Sequence, residues 1–233
     1  MRIAVVVEAD ADARTAKALA DRVLQVAGID PEVARRWGEQ LTWKGAKQRR
    51  RELGRKAHGK FNNEPGAPDA HATRSVLILL NLDSNPPDAV LLIRDADKQA
   101  TGRRVGLEQA RVEHESKSHL RQAIVIGLAI PKREAWVLIG FAANGSVEVQ
   151  AMESEQKRLG FNPVDHPHRL SASEHGAGHD IKRCMESLGI DREREEECHQ
   201  AGTLEEFEKR GRDTGLPEYF AEIRNRILPI LSK

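Results

Sequence analysis

Aromatic residues are scarce in this chain, making up 4% of its 233 residues with a single tyrosine among them. Its core must therefore be built from aliphatic side chains. Cysteine is as rare. Cys184 and Cys198 are the only two, and their separation matches neither a disulfide framework nor a zinc-ligand spacing, so they read as free thiols in a reducing compartment. No apolar run approaches the ~20 residues that cross a bilayer, and the opening MRIAVVVE carries no cleavage signal. The expectation is a cytoplasmic protein with no membrane contact. Charge of one sign is missing as well: the net charge is +1 although 31% of residues are charged. Nucleic acid is thus neither demanded nor excluded, and the distribution of charge matters more than its sum.

What is present is a series of buried-strand signals. Ile3 to Val7 is a continuous β-branched run of the kind covered on both faces, and it breaks abruptly into Glu8-Ala9-Asp10-Ala11-Asp12. Ala16, Leu19, Ala20, Val23 and Leu24 then recur at helical spacing, with Gly28 as a stop. Val76 to Leu82 and Ala89 to Ile93 are both apolar, but only a short loop separates them. Two neighbouring parallel strands need a crossover of about a dozen residues or more. The second run is therefore assigned as the strand and the first as a buried helix starting near Ala70. Gly106 to His119 reads as a charged helix, Ala123 to Ile130 as a third strand, and Lys132 to Phe141 as a short helix. The remainder is polar and helical, with Ile181 to Leu188 and Leu216 to Leu231 the clearest amphipathic pieces.

The expected fold is α/β, with a mostly parallel sheet flanked by helices over residues 1–145 and a helical C-terminal extension over 146–233. Residues 29–74 stand apart as a basic insertion within the core. There WKGAKQRRRELGRKAHGK is crowded with lysine and arginine, and NNEPGAPDA is turn and loop chemistry.

The acids fall where an α/β sheet collects its ligands. Glu8 ends the first strand run, and Asp95-Ala96-Asp97 ends a later one. Ligands gather in the crevice outside the carboxyl ends of such strands. Carboxylates converging there cannot all stay ionised without a counter-charge, which a divalent cation supplies. Oxygen-only donors favour Mg2+ or Mn2+. Asp12 lies one helical turn beyond Glu8 and Glu134 shortly follows the third strand, so both can point into the same crevice. Each of these acids, taken singly, is as compatible with a solvated loop or a helix cap.

The segments VVVEADAD, AVLLIRDADKQ and AIPKREAWVLIGF together resemble the Toprim domain shared by primases, topoisomerases and OLD-type nucleases. Toprim domains carry a glutamate after the first strand and a D-x-D after a later one, matched by Glu8 and by Asp95 and Asp97. Asp12 matches an acid of the OLD-type nucleases, and REAWVLIGF is similar to a motif of small Toprim-like bacterial proteins. The resemblance covers roughly residues 1 to 27 and 75 to 141. It implies metal-dependent phosphodiester chemistry with Glu8, Asp95 and Asp97 as ligands. Asp12 and Glu134 then become candidates for a second metal or a general base, and Lys98 or Arg94 for steadying the transition state. One position departs from the pattern: Ala9 stands where glycine usually follows the glutamate.

The sole tyrosine, Tyr219, lies in a helical tail, which argues against a tyrosyl intermediate and leaves a nuclease, which the resemblance to small Toprim-like proteins implies as the effector of a bacterial antiphage system. Lys44, Lys47, Arg49, Arg50, Arg51, Arg55 and Lys56 could neutralise backbone phosphates of DNA or RNA, or could form a solvated helix face. His166, His168, His175 and His179 cluster without the spacing of a zinc helix. Without a GxxxxGK[ST] loop the chain is not expected to hydrolyse ATP itself. The rival reading is a non-catalytic regulatory protein that works with a separate ATPase.

Overall fold

In the computed structural model, residues 1–54, 61, 64–117 and 122–231 are described. Four strands form one sheet: β1 (Arg2–Val7), β2 (Arg36–Thr42), β3 (Ala89–Asp95) and β4 (Ala123–Ala129), in the order β2-β1-β3-β4. Every neighbouring pair is parallel. The first-half helices are α1 (Asp10–Val26), α2 (Pro31–Ala34), α3 (Trp43–Glu52), α4 (Ala67–Asn81), α5 (Ala100–Glu115) and α6 (Arg133–Ile139). They are followed by α7 (Gly145–Leu159), α8 (Ile181–Ser187), α9 (Arg192–Gln200), α10 (Leu204–Arg210), α11 (Leu216–Arg226) and α12 (Leu228–Leu231).

Strand periodicity sorts the aliphatic runs into two cores. Ile3, Val5, Val7, Leu91, Ile93 and Val125 face one side, against Leu19 and Val23 of α1 and Tyr219, Phe220 and Ile223 of α11. Ala4, Val6, Val90, Leu92, Ile124 and Ile126 face the other, against Val76, Leu77 and Leu80 of α4 and Leu107 of α5. Because both faces are covered, the strands read as unbroken hydrophobic runs rather than as alternation. A third cluster surrounds α6, whose Val137 and Leu138 meet Phe161, Leu170, Ile181 and Met185. The C-terminal helices therefore divide: α8 and α9 pack around α6, while α11 lies on the sheet. Tyr219 is part of that second packing. It is fully buried, stacks on Trp136 at 5.1 Å, and donates from its hydroxyl to the Ala16 carbonyl at 2.9 Å.

One local feature departs from the sequence reading. The 29–74 stretch, taken as a basic insertion, supplies strand β2 and the helices α2 and α3. Arg36–Thr42 (RWGEQLT) sits at the sheet edge and stays half exposed, so it has no need of an apolar run. The α4–α5 pair packs closely enough that a Cβ on Gly106 would collide with the Gly66 carbonyl oxygen. No described helix is long and apolar enough to cross a membrane.

Candidate metal centre

The strand order places a topological switch between β1 and β3: the chain leaves β1 toward β2 on one side, and β3 continues to β4 on the other. Crevices at such a switch, outside the carboxyl strand ends, are where α/β sheets bind ligands. Glu8 follows β1, Asp95 is the last residue of β3, Asp97 lies two residues on, and Glu134 opens α6 after β4. Glu8 and Asp97 keep side chains 41% and 45% exposed, whereas Glu134 is buried.

Each acid is held differently. Asp12 caps its own helix: its Oδ2 accepts from the amides of Ala9 at 2.8 Å and Glu8 at 3.2 Å. Burial raises its pKa against the lowering effect of those amides. Ala9 has φ −145°, an extended conformation open to any residue, so the position does not require glycine. Asp95 Oδ1 accepts from the Arg133 amide at 2.7 Å, at the start of α6. Burial, with Glu134, Asp12 and Glu8 adding their charge, pushes Asp95 up to about 7 against that bond. Asp97 adopts the left-handed region at φ +48°, which aspartate tolerates better than most residues. Its amide donates to the Pro131 carbonyl at 2.9 Å, which ties the β3 turn to the start of α6.

Arg103 and Arg133, which thread the crevice, stand in no recognisable motif in the sequence, unlike Arg94 beside the D-x-D. Arg103, in the first turn of α5, donates from Nη1 to Glu8 Oε1 at 3.2 Å and from Nη2 to Asp97 Oδ2 at 2.9 Å, and it also reaches the Asp95 carbonyl. Arg133 is buried and forks onto Glu195 of α9 with two 2.8 Å bonds, with Asp12 at 3.7 Å and Glu134 at 3.8 Å. Lys182 of α8 approaches Glu134 at 3.8 Å. Arg94 pairs with Asp69 at 2.9 Å, stands 3.7 Å from Glu8, and lies over the Trp43 ring. Among the described residues, Asp95 alone of the five acids has no side-chain cation within 4 Å of its carboxylate.

Donor chemistry fits a hard divalent cation. The donors are carboxylate oxygens, Asp95 is held toward its neutral form by burial and by the negative charge of Glu134, Asp12 and Glu8, and the exposed pair already shares a cation in Arg103. In this arrangement no three His, Cys, Asp or Glu side chains of the described residues are grouped tightly enough to share an ion.

The other predicted residues lie around this centre. Lys98 is exposed in the turn after Asp97. Helix α3 starts at the same carboxyl edge, because the Trp43 indole donates to the Ile93 carbonyl at 2.9 Å. Trp43 and Ala46 face inward, while Lys44, Lys47 and Arg51 share one exposed stripe. Arg49 pairs with Glu39 at 2.6 Å, and Arg50 is half-buried. Arg55 and Lys56 lie outside the described residues. The histidines stay local: His175 is 3.2 Å from Asp180, and His168 is 3.9 Å from Asp213.

Protein-family models give no match to this chain, and neither curated proteins nor solved structures show a significant similarity to it.

Proposed function

We propose that this is a Toprim-like phosphodiesterase that uses Mg2+ or Mn2+ to cleave nucleic acid. One observation carries the reading: acids following three adjacent parallel strand ends line the switch-point crevice, and the Asp95 carboxylate, pushed up to about 7 by burial and by Glu134, Asp12 and Glu8, has no side-chain cation within 4 Å among the described residues. Glu8, Asp95 and Asp97 would hold the ion, with Glu134 next to them. A bound ion supplies polarisation of the phosphate and a water activated at neutral pH. Arg94 and the exposed Lys98 are the cations positioned to face a phosphate drawn into the crevice. The Lys44–Lys47–Arg51 stripe offers the strand backbone a path leading up to it.

The alternative, a non-catalytic protein serving a separate ATPase, takes its support from Arg103, whose guanidinium satisfies Glu8 and Asp97 without any ion. Calorimetric titration with Mn2+ and Mg2+, followed by cleavage assays on DNA and RNA, separates the two. The expected result is ion binding and cleavage that both vanish in the Asp95→Asn/Asp97→Asn protein. Cleavage that survives this substitution would remove the carboxylates from the mechanism. A folded wild type that binds neither ion would favour the regulatory reading.

A further inference from the structure

Arg103 and Arg133 are both mostly buried arginines among the same acids, yet their bonding differs. Arg133 is anchored by the two oxygens of Glu195 and by the Thr15 hydroxyl, with all three partners on α1 and α9. Among the described residues, Arg103 is anchored only by the crevice itself: Glu8, Asp97 and the Asp95 carbonyl. Its Nε is buried and has no hydrogen-bond partner among the described residues. A guanidinium has five donors in a fixed fork, so this one is incompletely satisfied where it lies. Glu8 and Asp97, meanwhile, keep a solvent-facing side through which an ion can approach.

We propose that Arg103 is the resident counter-ion of the crevice, displaced from Glu8 and Asp97 when a divalent cation enters and then free to take a phosphate oxygen of the substrate. The inference rests on the metal-centre reading above. It explains why the side chain sits between two predicted ligands. It also makes metal entry and phosphate binding consecutive uses of one residue. The guanidinium is the appropriate group for the second role, because its planar fork matches phosphate oxygens.

The test is calorimetric titration with Mn2+ on the full chain, comparing wild type with Arg103→Gln, Arg103→Lys and the control Arg104→Gln, with thermal melts to confirm folding. Arg104 neighbours Arg103 on α5 but pairs with Glu108 at 2.6 Å, so its loss changes net charge equally without touching the crevice acids. Arg103→Gln should bind Mn2+ about tenfold more tightly than wild type, because the ion no longer competes with two charge-assisted bonds. Arg104→Gln should match wild type, and Arg103→Lys should fall between, since one ammonium cannot span both acids. In saturating Mn2+, Arg103→Gln should bind a labelled single-stranded oligonucleotide about tenfold more weakly. Mn2+ affinity unchanged or lowered in Arg103→Gln, or raised equally in Arg104→Gln, would overturn the displacement and leave the metal centre standing. Unchanged oligonucleotide affinity would overturn the phosphate role. Failure of folded wild type and Arg103→Gln alike to bind Mn2+ would remove the metal centre, and this inference with it.

Discussion

The metal-free protein should lose stability as the solution becomes more alkaline, and Asp95 is the reason. Its carboxyl titrates at about 7, against an ordinary 3.8, because burial and the charges of Glu134, Asp12 and Glu8 oppose ionisation. The folded state therefore holds this proton more tightly than the unfolded state does. The stabilisation is complete below the unfolded value and is lost as pH rises through the folded one. At about 1.36 kcal/mol per unit the full difference is roughly 4 kcal/mol, and local relaxation around a partly solvated carboxylate reduces it to about 2–4 kcal/mol. Asparagine reproduces the neutral acid and keeps an oxygen for the Arg133 amide. Urea unfolding in the presence of a chelator should thus give Asp95→Asn a stability close to wild type near about pH 3.5, and about 2–4 kcal/mol greater near about pH 8. Mn2+ should stabilise wild type at the higher pH and leave the variant nearly unchanged. A variant that is equally stable or less stable at both pH values would refute the burial argument, and with it the claim that the crevice carries uncompensated charge.

His199 should give a slope of opposite sign. Burial, reinforced by Arg133, Arg14 and Arg22 against the pull of Glu195, pushes it down to about 4. Stability is then lost as pH falls from about 6.5 to about 4, by at most roughly 3 kcal/mol. His199→Leu should flatten this acid limb in urea titrations, and an unchanged limb would show that His199 does not titrate across the transition. For the basic helix, replacing Lys44, Lys47 and Arg51 with glutamine should leave the thermal midpoint within about 2 °C of wild type, since all three are exposed. Each lost phosphate contact should lower the salt slope of single-strand binding by about 0.7. An unaltered slope would make the stripe an ordinary solvated face.

The parts of this architecture that could be read from the sequence are those whose physics is local. β1, β3 and β4 declare themselves because strands covered on both faces must be continuously aliphatic. α4 follows by elimination: the six residues between Leu82 and Ala89 cannot return a chain to a parallel neighbour, and the helix is found at Ala67–Asn81. Edge strand β2 escapes notice because half exposure relaxes the demand for apolar residues, and Gly38 and Glu39 interrupt any pattern. The acids were legible because position at a strand end is itself informative in a parallel sheet. Of the cations, Arg94 and Lys98 were legible beside the D-x-D, but Arg103 and Arg133 were not. Arg103 lies 95 residues from Glu8, and Arg133 lies 62 from Glu195. Nothing in the short segments GRR or KRE distinguishes a guanidinium aimed into the crevice from one aimed at water. The asymmetry has a physical origin. A carboxylate here is placed by its own strand, whereas an arginine is placed by whichever acids its long side chain can reach once the fold has closed. Sequence can therefore nominate the carboxylates of such a crevice, but the arginines that pair with them emerge only once the crevice is assembled.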